Sequence, residues 1–399
     1  MSDVARPDSR VREVFLAFLM LGLTAFGGPV AHLSYFRNEF VTRRRWLSEQ
    51  DYADLVALCQ FLPGPASSQV GFALGLMRAG GWGAAAAWTA FTLPSAIVLV
   101  LFALGAAVME GPISQGIIHG LKVAAVAIVA HAVRGMAQNL CPDKRRVGIA
   151  LVAVLMALLV GGSAGQVGAI VIGAVVGLFW CRGQGVPEAH DVAFGVSRRV
   201  GRLAAVGFGA LLAGLPLLAW ATPSLIVAIM DAFYRAGALV FGGGHVVLPL
   251  LESGVVQTGW VSENDFLTGY GAAQAVPGPL FTFAAYLGAV ITPGAGALMG
   301  AILALLMIFL PGMLLLVAVL PYWHGFRRLE SVQGVMRGAN AAVVGILGAA
   351  LYQPVWTSAI VGPREFVLAL TGFLLLGVWK LPAWAVVIAM AIGGLLITL

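Results

Sequence analysis

The stretch Trp46-Leu47-Ser48-Glu49-Gln50-Asp51-Tyr52, followed at a fixed distance by Gln60-Phe61-Leu62-Pro63-Gly64-Pro65, occurs twice in this chain. The second copy reads Trp260-Val261-Ser262-Glu263-Asn264-Asp265-Phe266 and then Gln274-Ala275-Val276-Pro277-Gly278-Pro279, with the same separation from Trp to Gln. A double match of this length at constant offset marks an internal repeat.

Each copy reads as a helix, a sharp break and a second helix. Ser48 and Asp51, like Ser262 and Asp265, have the spacing of a capping box, so a helix is expected to start just after each Ser. Pro63 and Pro277 end it, and Gly64 and Gly278 free the backbone for a tight turn. Pro65 and Pro279 then take the first position of the next helix, where proline is best tolerated. The amides of Ala66, Ser67 and Ser68, and of Leu280, Phe281 and Thr282, are left without intrahelical partners. Inside a membrane, such a helix start is a ready anion site.

Composition places the breaks in a membrane. Of 399 residues 60% are apolar and 10% charged, where soluble domains carry roughly 25% charged residues. The fold class expected is an all-α polytopic membrane protein. Its net charge of +6 is concentrated in a few loops, which fits orientation in a bilayer and gives no sign of nucleic-acid binding. Cys59, Cys141 and Cys181 have neither CxxC nor Cys/His ligand spacing, so no disulfide, metal or cofactor is expected. The N-terminal polar residues 1–10 lead into a long helix and lack the pattern of a cleaved signal.

Two homologous helical repeats follow, over residues 11–181 and 223–398, joined by a linker and a connecting helix over 182–222. Each begins with an apolar segment long enough to span, Val11 to Phe36 and Ser224 to Leu251, interrupted by Phe26-Gly27-Gly28-Pro29 and Phe241-Gly242-Gly243-Gly244. Consecutive glycines there allow close packing or local unwinding, the latter exposing backbone to a ligand. After each central break come a segment too short to span and a longer one kinked at Phe91 to Pro94 or Phe309 to Pro311. The next helices align Gly120-Leu121-Lys122 with Gly338-Ala339-Asn340, and a helical pair closes each half. Loops with Arg43 to Arg45, Lys144 to Arg146, and Arg182 with Arg198 to Arg202 belong on the cytoplasmic side. The equivalent of the first, Glu252 to Asp265, has no Lys or Arg, whereas Arg327 and Arg328 replace an acidic loop. That reversal argues for inverted repeats with broken or re-entrant helices, and for roughly 10 to 13 spans.

The chain resembles the chromate transporter family in its long, two-domain form. "LTAFGGPVAHLSYF", "WLSEQDYADLVALCQFLPGP" and "FTLPS" carry the likeness in the first half. "ALVFGGGHVVLPLLE", "GWVSENDFLTGYGAAQAVPGPLFTFAAYLGA" and "FLPG" carry it in the second. The resemblance implies export of chromate, a tetrahedral dianion, across the bacterial inner membrane by homologous domains in opposite orientations. Sulfate has the same shape and charge, and uptake of it or another anion is the alternative. An intramembrane enzyme would need a nucleophile or metal constellation, and no HExxH or paired aspartates lie in the spans. The partners expected are the oxyanion and the lipid bilayer, with room for a homo-oligomer.

A dianion in low dielectric needs donors and partial positive charge. The candidate binding residues are therefore Gly27, Gly28, Gln60, Pro63, Gly64, Pro65, Ser67, Ser68 and Lys122 in the first half. Gly242, Gly243, Gln274, Pro277, Gly278, Pro279, Thr282 and Asn340 are the candidates in the second, and Gln69 is a further donor. Against this stands the bland reading that the prolines only kink and the glutamines cap freed carbonyls. Lys122 with His119, His131 and Arg134 forms either a pathway stripe or an interfacial cluster. Asp231 and Arg235, at i and i+4, read as a structural ion pair, and His32 and His245 as hydrogen-bonded fillers.

Overall fold

In the computed structural model, which describes residues 7–106, 111–181, 195–323 and 329–398, the chain is helical, with no strand among the described residues. Six of the described helices are long and apolar enough to cross a membrane, and this is a polytopic membrane protein.

The first repeat begins with α1 (Pro7–Thr24) and α2 (Gly28–Phe36), the latter running on through a π-helical turn (Arg37–Arg43). The expected span from Val11 to Phe36 instead folds back on itself. Phe18 of α1 stacks on Phe40 at 4.8 Å and meets Phe36 edge-on at 5.4 Å. Gly27 and Gly28 make the reversal with φ of 104° and 78°, values that a side chain resists. A Cβ on Gly28 would touch nothing within 4 Å, so the glycine serves the turn and local unwinding prevails over close packing.

The repeated motif makes a second hairpin. α3 (Glu49–Phe61) is capped by Ser48, whose hydroxyl accepts the Asp51 amide at 3.1 Å. After the Pro63–Pro65 break comes α4 (Ala66–Ala106), which starts one residue later than proline at the first helical position would require. Non-helical dihedrals at Ala79 and Gly80 divide α4 into a short arm, 66–78, and a long arm, 81–106. Gly75 and Gly83 let the two arms touch, the Gly83 carbonyl oxygen lying 2.3 Å from where a Gly75 Cβ would stand. One charged cluster gathers the open ends of both hairpins. Glu13 meets Arg44 at 3.4 Å and Arg78 at 2.9 Å and accepts from Trp46 Nε1 at 3.3 Å. The open ends of the α1–α2 hairpin and of α3 with the short arm of α4 therefore lie together on one side, here called the arginine face.

α5 (Pro112–Leu140), α6 (Lys144–Leu159) and α7 (Gly162–Trp180) complete the half, and α8 (Arg198–Ala221) connects to the next. Arg198 to Arg202, expected in the linker, form the first turn of α8, which Ser197 caps through the Val200 amide. α8 leaves Leu203, Leu217 and Trp220 uncovered, as a lipid-facing connector would.

The second half of the chain shows the same order of elements. α9 (Leu225–Ala238) breaks at 239–243 and returns through α10 (Val247–Leu251) and a π turn (Glu252–Val256). α11 (Glu263–Ala275), capped by Ser262, is followed by the second Pro-Gly-Pro and a 3-10 turn (Leu280–Thr282) that opens α12 (Phe283–Ile291). α11 and α12 are antiparallel, since the Tyr286 hydroxyl donates to the Asp265 carbonyl at 3.0 Å. α13 (Ala297–Val319), α14 (Glu330–Ala350), α15 (Pro363–Gly377) and α16 (Ala383–Thr398) close the chain. Arg327 and Arg328 lie outside the described residues.

The halves are exchanged at their closing helices. α5 packs along α16, where Gly120 faces the Met390 carbonyl and Gly116 faces Leu395 and Thr398. α14 packs along α7, where Gly338 and Gly334 face Gly173 and Gly177. Glycines four apart on α5 and α14 bring the backbones into contact, as small-residue motifs do between membrane helices. The closing helix of each half thus covers α5 or α14 of the other.

Candidate functional site

The four hairpin tips meet, each bonded to the opposite half. The Gly64 amide donates to the Val240 carbonyl at 2.7 Å, and the Gly278 amide to the Ala25 carbonyl at 3.0 Å. Ala25 and Val240 are equivalent residues, each just before its Phe-Gly-Gly, so the two bonds are one contact made reciprocally. Packing follows suit: Gly64 lies against Gly312 of α13, and Gly278 against Ser95 of α4. At the centre Pro29 stands 3.4 Å from where a Gly244 Cβ would be. The glycines turn at φ 121° (Gly64), 100° (Gly278), 74° (Gly242) and 146° (Gly243).

Carbonyls freed at the breaks are matched to protein donors. Gln69 Nε2 donates to the Pro63 carbonyl at 3.0 Å and to that of Gly312 at 2.9 Å. His32 Nε2 lies 3.1 Å from the Ala25 oxygen, and Nδ1 lies 3.4 Å from the Ser67 hydroxyl. With the proton on Nε2, His32 donates to the carbonyl and accepts from Ser67. The bland reading is right for Gln69 and His32.

Hydroxyls and amides remain. Ser68 and Thr92 are 2% and 1% exposed, and their hydroxyls have no protein partner. In the second half Gln274 Nε2 and Asn340 Oδ1 are buried and unpartnered, with Asn340 beside Gly242. His245, after the glycines, bonds the Tyr270 hydroxyl through Nδ1 at 2.8 Å. The helical runs that begin at Gly28, Ala66, Gly244 and Leu280 all start at the tips.

Several expected donors are elsewhere. Gln60, in the last turn of α3, is exposed. Thr282 spends both its hydroxyl, at 2.8 Å, and its amide, at 3.0 Å, on the Pro279 carbonyl, so its amide is not left open as the sequence suggests. Lys122 reaches away, donating to Asn264 Oδ1 at the start of α11 at 3.0 Å. The stripe around it splits: His119 meets Glu365 at 3.4 Å, and Arg134 lies by Gly377. Asp231 and Arg235 form the expected ion pair, with two hydrogen bonds of 2.8 Å and 2.6 Å. Thr92 and Ser95 were missed in the sequence, although the Phe-Thr-Leu-Pro-Ser kink held both of them.

A profile of the family described as "Chromate transporter" matches residues 12–178 and 227–395. The chain belongs to the chromate transporter family. A chromate transport protein of Cupriavidus metallidurans is 29% identical over 98% of this chain and 94% of its own length. One of Pseudomonas aeruginosa is 26% identical over 98% and 93%. A probable chromate transport protein of Synechococcus elongatus is 28% identical over 86% and 84%. No solved structure matches.

Proposed function

We propose that this chain is a secondary transporter that exports chromate across the bacterial inner membrane, holding the dianion where the four tips meet. The observation that carries the reading is the division of labour at the breaks. Freed carbonyls there take protein donors, while four helix starts and the hydroxyls of Ser68 and Thr92 are left for an anion. A helix start contributes about half a unit of positive charge, so four such starts offset roughly the two negative charges of a tetrahedral oxyanion. Gly27, Gly28, Pro63 to Pro65, Gly242, Gly243 and Pro277 to Pro279 shape these starts. Ser67, Gln274 and Asn340 line their approaches, and Lys122 and Gln60 stand outside. Moving a dianion out of a cell negative inside is favoured by roughly 4 to 5 kcal/mol per 100 mV.

The topology proposed is nine crossing helices and four re-entrant hairpins. The long arm of α4 with α5, α6 and α7 makes an even number of crossings, and α8 adds one. The second pair of hairpins then enters from the face opposite the arginine face. This arrangement makes the repeats inverted, and with the arginines inside, Arg44 is cytoplasmic and Val256 external.

The experiment is uptake of radiolabelled chromate and sulfate into everted membrane vesicles, with protein level measured alongside. Potential-driven chromate accumulation, competed by sulfate, is the expected result. Sulfate uptake into intact cells without chromate accumulation in everted vesicles would favour the alternative, and a cytoplasmic signal from a tag at Val256 would refute the inverted topology.

A further inference from the structure

The two repeats carry opposite charges at one matched position. In the first, Arg37 follows the run that begins at Gly28, and its guanidinium holds Glu49 at the start of α3 at 2.5 Å. The tie fastens one hairpin to the next. In the second repeat the residue equivalent to Arg37 is Glu252, and that equivalent to Glu49 is Glu263. Two carboxylates thus stand where the sister repeat has an ion pair. Both line a cavity of 290 Å³ together with Gln166, Gln257 and Gln353. It lies near Gly162 and Gln257, away from the arginine face, and a space of this size holds several waters or a guanidinium.

Neutral groups occupy the two carboxylates only in part. Glu252 is 9% exposed and accepts from Gln257 Nε2 at 3.2 Å and 3.3 Å. Glu263 accepts from the Ser358 hydroxyl at 2.5 Å. Gln166 is taken up by the Pro249 carbonyl and Ser253. The charged groups on the neighbouring elements are committed elsewhere: Asp231 and Arg235 of α9 pair with each other, Lys122 of α5 bonds Asn264, and Ser262 holds Asp265. No described basic side chain lines the cavity.

We infer that the Glu252–Glu263 cavity is a proton-binding site on the outer side of the transporter, where one proton from water replaces the guanidinium of the sister repeat. A proton added to one carboxylate oxygen turns two like charges into a donor and an acceptor. The run Gly244–Val256 begins at the tips and ends at this cavity, so protonation ties it to the start of α11 as Arg37 ties its counterpart. Deprotonation releases the tie, and the state of the outer hairpins becomes coupled to external pH. This goes beyond chromate export driven by potential alone.

The test uses the full chain in liposomes at clamped potential, with a pH gradient imposed and labelled chromate counted. Wild type should change rate by roughly fivefold or more with the gradient, the lower end of ordinary coupling factors. Glu252→Gln, and Glu252→Arg, which rebuilds the first repeat's ion pair, should each transport with no response to it. An infrared titration of the protein without substrate should give a protonated-carboxyl band that Glu252→Gln removes. The inference is overturned if wild type ignores the gradient, if both variants keep the full response, or if a sodium gradient acts and no carboxyl band titrates. Failure of wild type to move any oxyanion would refute the transport reading alone, since the infrared titration still decides the cavity.

Discussion

Gly64→Ala separates a site built on helix starts from one built on Lys122. At φ 121° an alanine is strained by about 1 to 3 kcal/mol. Its Cβ would stand 3.0 Å from Gln69 Nε2 and 3.0 Å from the Gly312 Cα. The second contact is backbone, so the tip must move, and the 2.7 Å bond from the Gly64 amide to Val240 goes with it. An unmet buried amide costs about 1 to 3 kcal/mol. The sum, about 2 to 6 kcal/mol, corresponds to roughly a 30-fold to 20,000-fold loss of the productive tip geometry. Lys122→Gln keeps a donor for Asn264, so its transport should stay within about tenfold of wild type. The assay is chromate uptake into everted vesicles, normalised to monodisperse protein in detergent. Gly80→Ala, at φ 64° with nothing within 4 Å of its Cβ, is the control for backbone strain away from the tips, and should transport. A well-folded Gly64→Ala protein that transports normally, beside an inactive Lys122→Gln, would refute the helix-start site.

Gly338→Leu should abolish folded protein on size-exclusion chromatography, because its Cβ would lie 2.0 Å from the Gly173 carbonyl oxygen; Gly135→Leu, with open space at its Cβ, should not. Asp143 caps α6, and its carboxyl is held below the usual range by the Arg146 amide and then by the Arg146 guanidinium. A lowered folded value makes the stabilisation present above the unfolded value and lost as pH falls through the folded one. Asp143→Ala should therefore cost about 1 kcal/mol at neutral pH, and in thermal melts the difference should shrink below about pH 4.

The breaks and their caps were legible because they are local chemistry: Ser48 and Ser262 cap as their spacing required, and each glycine turns where two prolines flank it. Direction was not legible. Hydropathy gives the length of Val11 to Phe36 but carries no sign of whether the chain continues or doubles back, and that ambiguity is why the spans could be given only as roughly 10 to 13. The donors were legible by type and misassigned by partner. Lys122 and Gln69 look alike as deep polar groups in a sequence, and only the fold shows one serving Asn264 and the other a carbonyl from the opposite half. Thr92 and Ser95 were hidden by Pro94, which accounted for their segment as a kink.

The exchange of closing helices sets a timetable for assembly. During synthesis α5 is made long before the helix that covers it, because the Gly116–Gly120 face waits for Ala383–Thr398 at the far end of the chain. The Gly64 amide likewise has no acceptor until Val240 is inserted. The first half is thus an unfinished object in the bilayer, held by its flanking hairpins until the last helix arrives. Ribosome-bound chains that stop short of residue 383 should leave the Gly116–Gly120 face of α5 open to a lipid-phase photo-crosslinker, and lose that labelling once residues 383–398 are released.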